Sequence, residues 1–406
     1  MKELRKASPG IAMSLPSPVI AVISTVGGII CLYILFISLL TIPFCQNQVI
    51  YLNSIKLTWS MDVSVPEQWG FLRNQVTSFQ LKTPDHETIH AWHILPLGLY
   101  EKHEEALSKE DVGMVPDISQ RTSFKLLRDD PEALLVLYFH GAAGTLGSGW
   151  RPPSYRAMSA ASPRIHTVAI DYRGFGSSTG VPSEEGLLTD ALTLADWAMN
   201  EAGIPPSRIA IFSQSLGTAV AISLVQHLAK QPEPVFFSGM VLVAPFADVE
   251  MLTATYRIAG VIPILDPLAY FPRIMAFLNS FIISKWPSKD KLADFIRHTE
   301  ALPEKEGHYH ITMIAAEDDY DIPWTHSDHV FWHAVNAAHM TELTFEELEE
   351  EKLATRSERG AGGWVVEKKT AKGVIREEIA KYGLHDRIMS YPAVSLAIKR
   401  AFQLDG

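Results

Sequence analysis

Cysteine is nearly missing from this chain. Only Cys31 and Cys45 occur in 406 residues, both in or beside one apolar run near the start. The remaining chain can therefore hold no disulfide and no cysteine-built zinc site, whatever its redox compartment. No Asn-x-Ser/Thr triplet occurs, so glycosylation cannot mark an extracytoplasmic face. Positive charge is in deficit: 35 Lys and Arg stand against 46 Asp and Glu, a net charge of −11. With no arginine-rich stripe either, that balance argues against a nucleic-acid binder. No internal repeat, heptad run or low-complexity tract is present. The length allows one large domain plus appendages.

Charge is absent altogether from Ala7 to Ile55. Within that stretch Val19 to Phe44 is almost wholly apolar, long enough for a helix across a hydrocarbon core of about 30 Å. A cleaved signal peptide would show only about 7–15 apolar residues before a small-residue cleavage site. Ile42-Pro43-Phe44-Cys45 is no such site, so a retained transmembrane helix over 19–44 is expected. Lys2, Arg5 and Lys6 precede it; Lys56, Asp62 and Glu67 follow. The positive-inside rule then predicts a cytosolic tail (1–18) and a domain on the far side, in a eukaryote the lumen of the endoplasmic reticulum. Residues 45–64 read as a linker, and 65–406 as the domain.

What the domain does possess is a strand, a sharp turn and a helix around one serine. Arg208-Ile209-Ala210-Ile211-Phe212 reads as the strand, Ser213-Gln214-Ser215-Leu216-Gly217 as the turn, and Thr218 to Val225 as a small-residue helix. This is the pattern of the α/β-hydrolase nucleophile elbow, except that Ser213 replaces the first glycine of G-x-S-x-G. The turn lifts Ser215 Oγ above the sheet, and the helix N-terminus points N–H groups at developing negative charge.

The other parts follow in the chain order Ser, Asp, His. Leu134 to Phe139 reads as a buried strand running into His140-Gly141-Ala142-Ala143-Gly144-Thr145. That loop is where half of an oxyanion hole belongs. Two N–H donors are needed there, each worth roughly 3 kcal/mol of barrier, and we assign them to Ala142 and Leu216. His140 reads as structural. Thr167 to Ile170 is a strand ending in Asp171-Tyr172-Arg173-Gly174-Phe175-Gly176-Ser177-Ser178-Thr179-Gly180. No Gly-Lys-Ser/Thr follows those glycines, which excludes a P-loop. Asp171 precedes the serine and reads as structural. Gly239 to Phe246 is the next strand and its exit, and His310 to Ala316 the one after. The latter ends in Glu317-Asp318-Asp319-Tyr320-Asp321-Ile322-Pro323, four carboxylates of which one can orient a histidine. Asp319, four residues before Pro323, fits best, with Asp318 as the alternative. His385, after a short strand over 374–380, is the only histidine beyond His339 and so completes the set. A helix over 391–402 follows it.

Taken together, these parts resemble an α/β-hydrolase over roughly 65–406, with a mostly parallel sheet. The local words His140-Gly141-Ala142-Ala143-Gly144-Thr145, Asp171-Tyr172-Arg173-Gly174-Phe175-Gly176, Pro182-Ser183-Glu184, Asp190-Ala191-Leu192, Ser215-Leu216-Gly217 and Ala316-Glu317-Asp318-Asp319 resemble the abhydrolase domain-containing protein 12 group of membrane lipases. The resemblance implies a membrane-anchored serine hydrolase acting on monoacylglycerols or lysophospholipids such as lysophosphatidylserine. It carries the triad onto Ser215, Asp319 and His385. Ser213 stands where the family has Gly, Ala142 where it has Asn, and the stretch from acid to histidine is longer. No cofactor is expected, since nucleophile and base supply the chemistry. Two rival readings stand: a peptidase, acyl-protein thioesterase or acyltransferase on the same triad, or a non-catalytic lipid- or partner-binding relative.

Elsewhere, Val76 to Lys82 and Thr88 to Leu95 read as a β-hairpin opening the sheet. Leu97 to Pro131 reads as a surface excursion with one helix. An apolar cap is expected over about 247–302, with Tyr270, Phe271, Ile274, Phe277 and Phe281 among its residues. It either packs on the core or lines an acyl tunnel and touches the bilayer. A charged, solvated insertion is expected over about 341–372, with an acidic helix and a mobile loop.

Overall fold

The computed structural model describes residues 17–404 apart from 256, 259–261, 264, 266, 267, 269, 340 and 341. Lys2, Arg5, Lys6 and nearly all of the tail expected over 1–18 lie outside the described residues, as does Thr341. A hairpin of β1 (Val76–Lys82) and β2 (Thr88–Ile94) forms one edge of a ten-stranded sheet. The chain then lays down β3 (Leu134–Phe139), β4 (Ile165–Asp171), β5 (Ile209–Gln214) and β6 (Gly239–Val243). A two-residue pair, β7 (Arg257–Ile258) and β8 (Ile262–Pro263), stands apart from that sheet. It resumes with β9 (Tyr309–Ala316), β10 (Ser357–Arg359), β11 (Gly363–Lys369) and β12 (Gly373–Ala380).

The spatial order is β1-β2-β4-β3-β5-β6-β9-β12-β11-β10. The run from β4 to β12 is parallel; the pairs at both edges are antiparallel. Strands β3 to β6 are buried along their whole length, as parallel strands covered by helices on both faces must be. Alternate residues feed opposite cores. Leu135, Leu137, Ile211 and Leu242 pack on one side with the helices Glu184–Asp196, Leu216–Ala229 and Thr325–Ala338. Val136, Tyr138, Phe212 and Val241 pack on the other with Arg151–Ala161 and Pro392–Ala401. From β3 the chain steps one way to β4 and then back across to β5, so the order reverses between β3 and β5. Ligands in open α/β sheets bind outside the strand ends at such a point.

Three expected boundaries move. The first helix is Ser17–Leu39, not 19–44. Pro43 holds Ile42 extended and starts a second helix, Pro43–Tyr51, because proline cannot continue the first. The expected linker over 45–64 is built into the domain. Tyr51 is fully buried and its hydroxyl donates to Ser284 Oγ at 3.0 Å; Asn53 donates to the Gly174 carbonyl at 3.0 Å. The cap ends before residue 288, because Leu292, Phe295 and Ile296 of the helix Ser288–Glu300 lie in the core.

The segment expected as a solvated insertion over 341–372 extends the sheet instead. Its acidic helix, Phe345–Thr355, is present and capped by Thr344 and Glu347. Of the loop expected over 356–363, Ser357–Arg359 pairs as β10 with β11 and stays exposed, while β11 pairs with β12 and buries Trp364, Val365 and Val366 just beyond that loop. Lys352 anchors it, paired with Asp328 and, at 2.8 Å each, with Glu349 and Glu377. The excursion over 97–131 carries two helices, Leu97–Ser108 and Thr122–Arg128, where one was expected.

Candidate active site

Strand β5 delivers Ser215 to the mouth of the sheet. Its backbone sits at φ 53°, ψ −121°, and it is the residue preceding the helix Leu216–Ala229. A non-glycine residue in the left-handed region costs of order 1–3 kcal/mol and persists only where its surroundings over-determine it. Here the Ser215 N–H donates to the Val243 carbonyl at 2.9 Å, and its own carbonyl accepts from the Thr218 amide and hydroxyl. The helix must cross β3 closely, and a Cβ on Gly217 would lie 2.1 Å from the Phe139 carbonyl oxygen. Ser213 needs no glycine freedom: it lies in the extended strand, fully buried, with its hydroxyl donating to the Val241 carbonyl at 3.4 Å. Ala143, Ala244 and Leu384, after β3, β6 and β12, also take positive φ.

His385 arrives from the loop after β12. Its Nδ1 donates to Asp319 Oδ2 at 2.8 Å. Oδ1 of Asp319 accepts the N–H groups of Asp321 and Ile322, both at 2.9 Å, so the carboxylate is fixed from both sides. Asp318, the alternative, faces elsewhere: it accepts the amides of Gly383 and Leu384 at 2.8 Å and holds the histidine loop in place. Burial by itself would push the His385 imidazole down. The Asp319 charge and hydrogen bond, with Asp386 and Asp321 behind them, outweigh burial and lift it to about 9. Burial pushes the Asp321 carboxyl up, partly countered by His385.

Ser215, His385, Ala142 and Leu216 all line one cavity of about 320 Å³. The loop carrying Ala142 is held by residues the sequence did not flag. Arg151, almost fully buried, donates to the carbonyls of Gly141 (2.9 Å), Ala142 (3.2 Å), Ala143 (2.8 Å) and Thr145 (2.6 Å). The Ala143 and Gly144 amides donate to Tyr51 and Ile55 carbonyls, at 2.9 and 2.6 Å, so residues 51–55 brace the loop from outside. Gln214 ties the elbow to the histidine loop through Asp386 Oδ1 at 3.1 Å. Gln214 stood in the quoted motif, and its carboxamide was the one available signal. Arg151 gave none, since its work is to shape a loop through carbonyls that every residue possesses.

His140 and Asp171 are structural in this arrangement. His140 is fully buried, 3.3 Å from Asp171, and burial holds its imidazole down. Asp171 accepts the Leu146 amide at 2.9 Å. Burial would raise its carboxyl, but the ring nitrogens of His140 and His90, 3.3 and 3.7 Å away, hold it at about 2. Asp319, Asp321 and His385 offer three ligand atoms within 4.8 Å of one another. Asp319 is already committed to His385 and two amides, so this trio reads as a hydrogen-bonded acid–base group, not a metal centre.

The profile of the alpha/beta hydrolase family matches residues 134–347. The protein named lysophosphatidylserine lipase ABHD12 from Xenopus tropicalis is 32% identical over 215 residues, 51% of this chain and 48% of that protein. Its namesake from Mus musculus is 31% identical over 207 residues, 51% and 46%. The chain thus spans about half the length of these curated relatives. An alpha-beta hydrolase crystal structure from Vibrio vulnificus superposes with a TM-score of 0.50 at 16% identity, covering 87% of this chain and 90% of that one. That likeness concerns the fold.

Proposed function

The chain belongs to the alpha/beta hydrolase family, and from that premise we propose a membrane-anchored serine hydrolase that cleaves acyl esters of monoacylglycerols or lysophospholipids. In this reading Ser215 Oγ attacks the ester carbonyl carbon. His385 Nε2 takes the hydroxyl proton, while Asp319 holds the tautomer through Nδ1 and stabilises the imidazolium. The Ala142 and Leu216 amides hold the oxyanion of the tetrahedral intermediate. Its collapse expels the alcohol, which takes the proton from His385 and leaves an acyl-serine. Water, deprotonated by the same imidazole, then releases the fatty acid.

The observation that carries this reading is the 2.8 Å His385–Asp319 hydrogen bond, at a cavity where Ser215 stands in a strained turn at a helix N-terminus. The apolar lining of that cavity and the name of the relatives, lysophosphatidylserine lipase, support a lipid ester. Pro18–Leu39, long and apolar enough to cross a membrane, supports the anchor. The orientation we propose puts the domain on the lumenal side of the endoplasmic reticulum. Protease protection in sealed microsomes tests it.

Labelling of the full-length, detergent-solubilised protein with a fluorophosphonate tests the chemistry. Wild type is expected to label and to hydrolyse lysophosphatidylserine or monoacylglycerol; folded Ser215→Ala is expected to do neither. Activity retained in that variant would refute the assignment. A folded wild type that neither labels nor turns over any lipid, peptide or acyl-protein ester would favour a binding protein.

A further inference from the structure

Two carboxylates in the Ser215 cavity take no part in the steps above. Four charged or chargeable residues line that cavity: Arg151, Asp321, His385 and Asp386. Arg151 is spent on four loop carbonyls, and His385 Nδ1 on Asp319. Asp321 has no side-chain hydrogen bond or ion pair among the described residues. Asp386 accepts only from Gln214, a neutral carboxamide, among the described residues. Arg387, the next residue, is exposed and absent from the lining, its guanidinium 5.7 Å from the centre of the Trp150 ring.

A reacting group is aimed at the same space. Ser215 is 7% exposed and lines the cavity, and its hydroxyl makes no hydrogen bond among the described residues. The proposed chemistry also says which part of an ester meets the two acids. His385 returns its proton to the leaving alcohol, so the alcohol oxygen must come within hydrogen-bond reach of the imidazole. A carboxylate oxygen of Asp321 lies within 4.8 Å of a ring nitrogen of His385. Asp386 follows His385 in the chain, and both acids act on the ring strongly enough to help lift it. Whatever the alcohol carries close to its oxygen therefore faces two unpaired negative charges.

The two ester classes under consideration differ in that part. A monoacylglycerol leaves as glycerol, uncharged, with hydroxyls that can donate to carboxylates. A lysophospholipid leaves with a phosphate one glycerol backbone away from the ester oxygen. We infer that Asp321 and Asp386 determine the specificity of this site, as a negative filter that admits esters of uncharged or cationic alcohols and rejects those whose alcohol bears a phosphate. This rests on the proposed hydrolase function and narrows its substrates to the monoacylglycerol side.

The test uses the full-length protein in a neutral detergent, with butanoyl esters of glycerol, of glycerol 3-phosphate and of choline at one pH. The shared acyl group and imidazole cancel in ratios of kcat/KM, including any change in His385 protonation. Wild type is expected to prefer the glycerol ester to the phosphate ester at least tenfold, the order of effect for a unit charge held about 7 Å from a carboxylate in a partly wet cavity. The choline ester should not share that handicap. Asp321→Asn and Asp386→Asn keep the shape and remove one charge each, so each should narrow the ratio about threefold or more, and the double variant further. Added salt should narrow it in wild type without any substitution. A wild-type ratio near one, or a ratio moved by neither the substitutions nor salt, overturns the filter and leaves the hydrolase reading intact. Wild type that hydrolyses no ester and does not label with fluorophosphonate overturns the hydrolase reading, and the filter with it.

Discussion

Neutralising Asp319 should move the pH dependence of the reaction, and by an amount the site specifies. An ordinary histidine titrates near 6.5, whereas His385 is lifted to about 9. The net lift corresponds to roughly 3 kcal/mol in favour of the protonated ring. Because burial pulls the other way, the Asp319 charge, its 2.8 Å hydrogen bond and the charges of Asp386 and Asp321 together exceed that net lift. Only neutral imidazole can take the Ser215 proton. Activity should therefore rise with pH through the His385 titration, and at pH 7 only about one molecule in a hundred would be competent in the free enzyme. The assay is kcat/KM for a short, soluble ester between pH 5 and 10, which reports groups of the free enzyme. Wild type should reach half of its maximum near pH 9. In Asp319→Asn, burial is left opposed only by Asp386 and Asp321, so the inflection should drop by about 2 units or more. The maximal rate should also fall about 10⁴-fold through the wrong tautomer, and the rate of fluorophosphonate labelling would follow the residual reaction. A wild-type inflection at 6.5, or one near 9 that survives Asp319→Asn, would refute the reasoning.

Three further outcomes are expected. Arg151→Ala leaves four loop carbonyls without their shared donor; stability should fall by about 2–4 kcal/mol in urea melts and kcat by more than tenfold, with Arg151→Lys partly restoring both. Gly217→Ala forces a Cβ to within 2.1 Å of the Phe139 carbonyl, so soluble yield and thermal midpoint should drop sharply, by about 4 kcal/mol or more if the protein folds. Lys352→Met strands Asp328 and Glu377 in the core and should cost about 3–5 kcal/mol by denaturant titration.

Most strands were legible because buried parallel strands are short unbroken apolar runs: β3 appears over the residues expected, and β12 begins one residue early. Ser215 was legible because a strand, a turn and a small-residue helix leave a local signature. The segment over 341–372 was misread because its charge dominates its composition. Its burial depends on a few positions: Trp364 to Val366 facing inward, and Lys352 meeting acids from a helix and a strand distant in sequence. The cap boundary failed for a related reason. Leu292, Phe295 and Ile296 form an apolar stripe in Ser288–Glu300 that looks the same whether it packs on a cap or on the core.

The amino-acid order by itself determined the strand alternation, the elbow, the sequence of serine, acid and histidine, and an apolar segment suited to a bilayer. These follow from local backbone preference and from hydrophobic period, which act over a few residues. Only the tertiary structure shows His385 bonded to Asp319 while Asp318 holds the histidine loop, the imidazole held basic by the carboxylates around it, and residues 51–55 bracing the loop of Ala142. Each of these depends on distances between groups far apart in the chain, and both Coulomb energy and burial are functions of distance and not of sequence position.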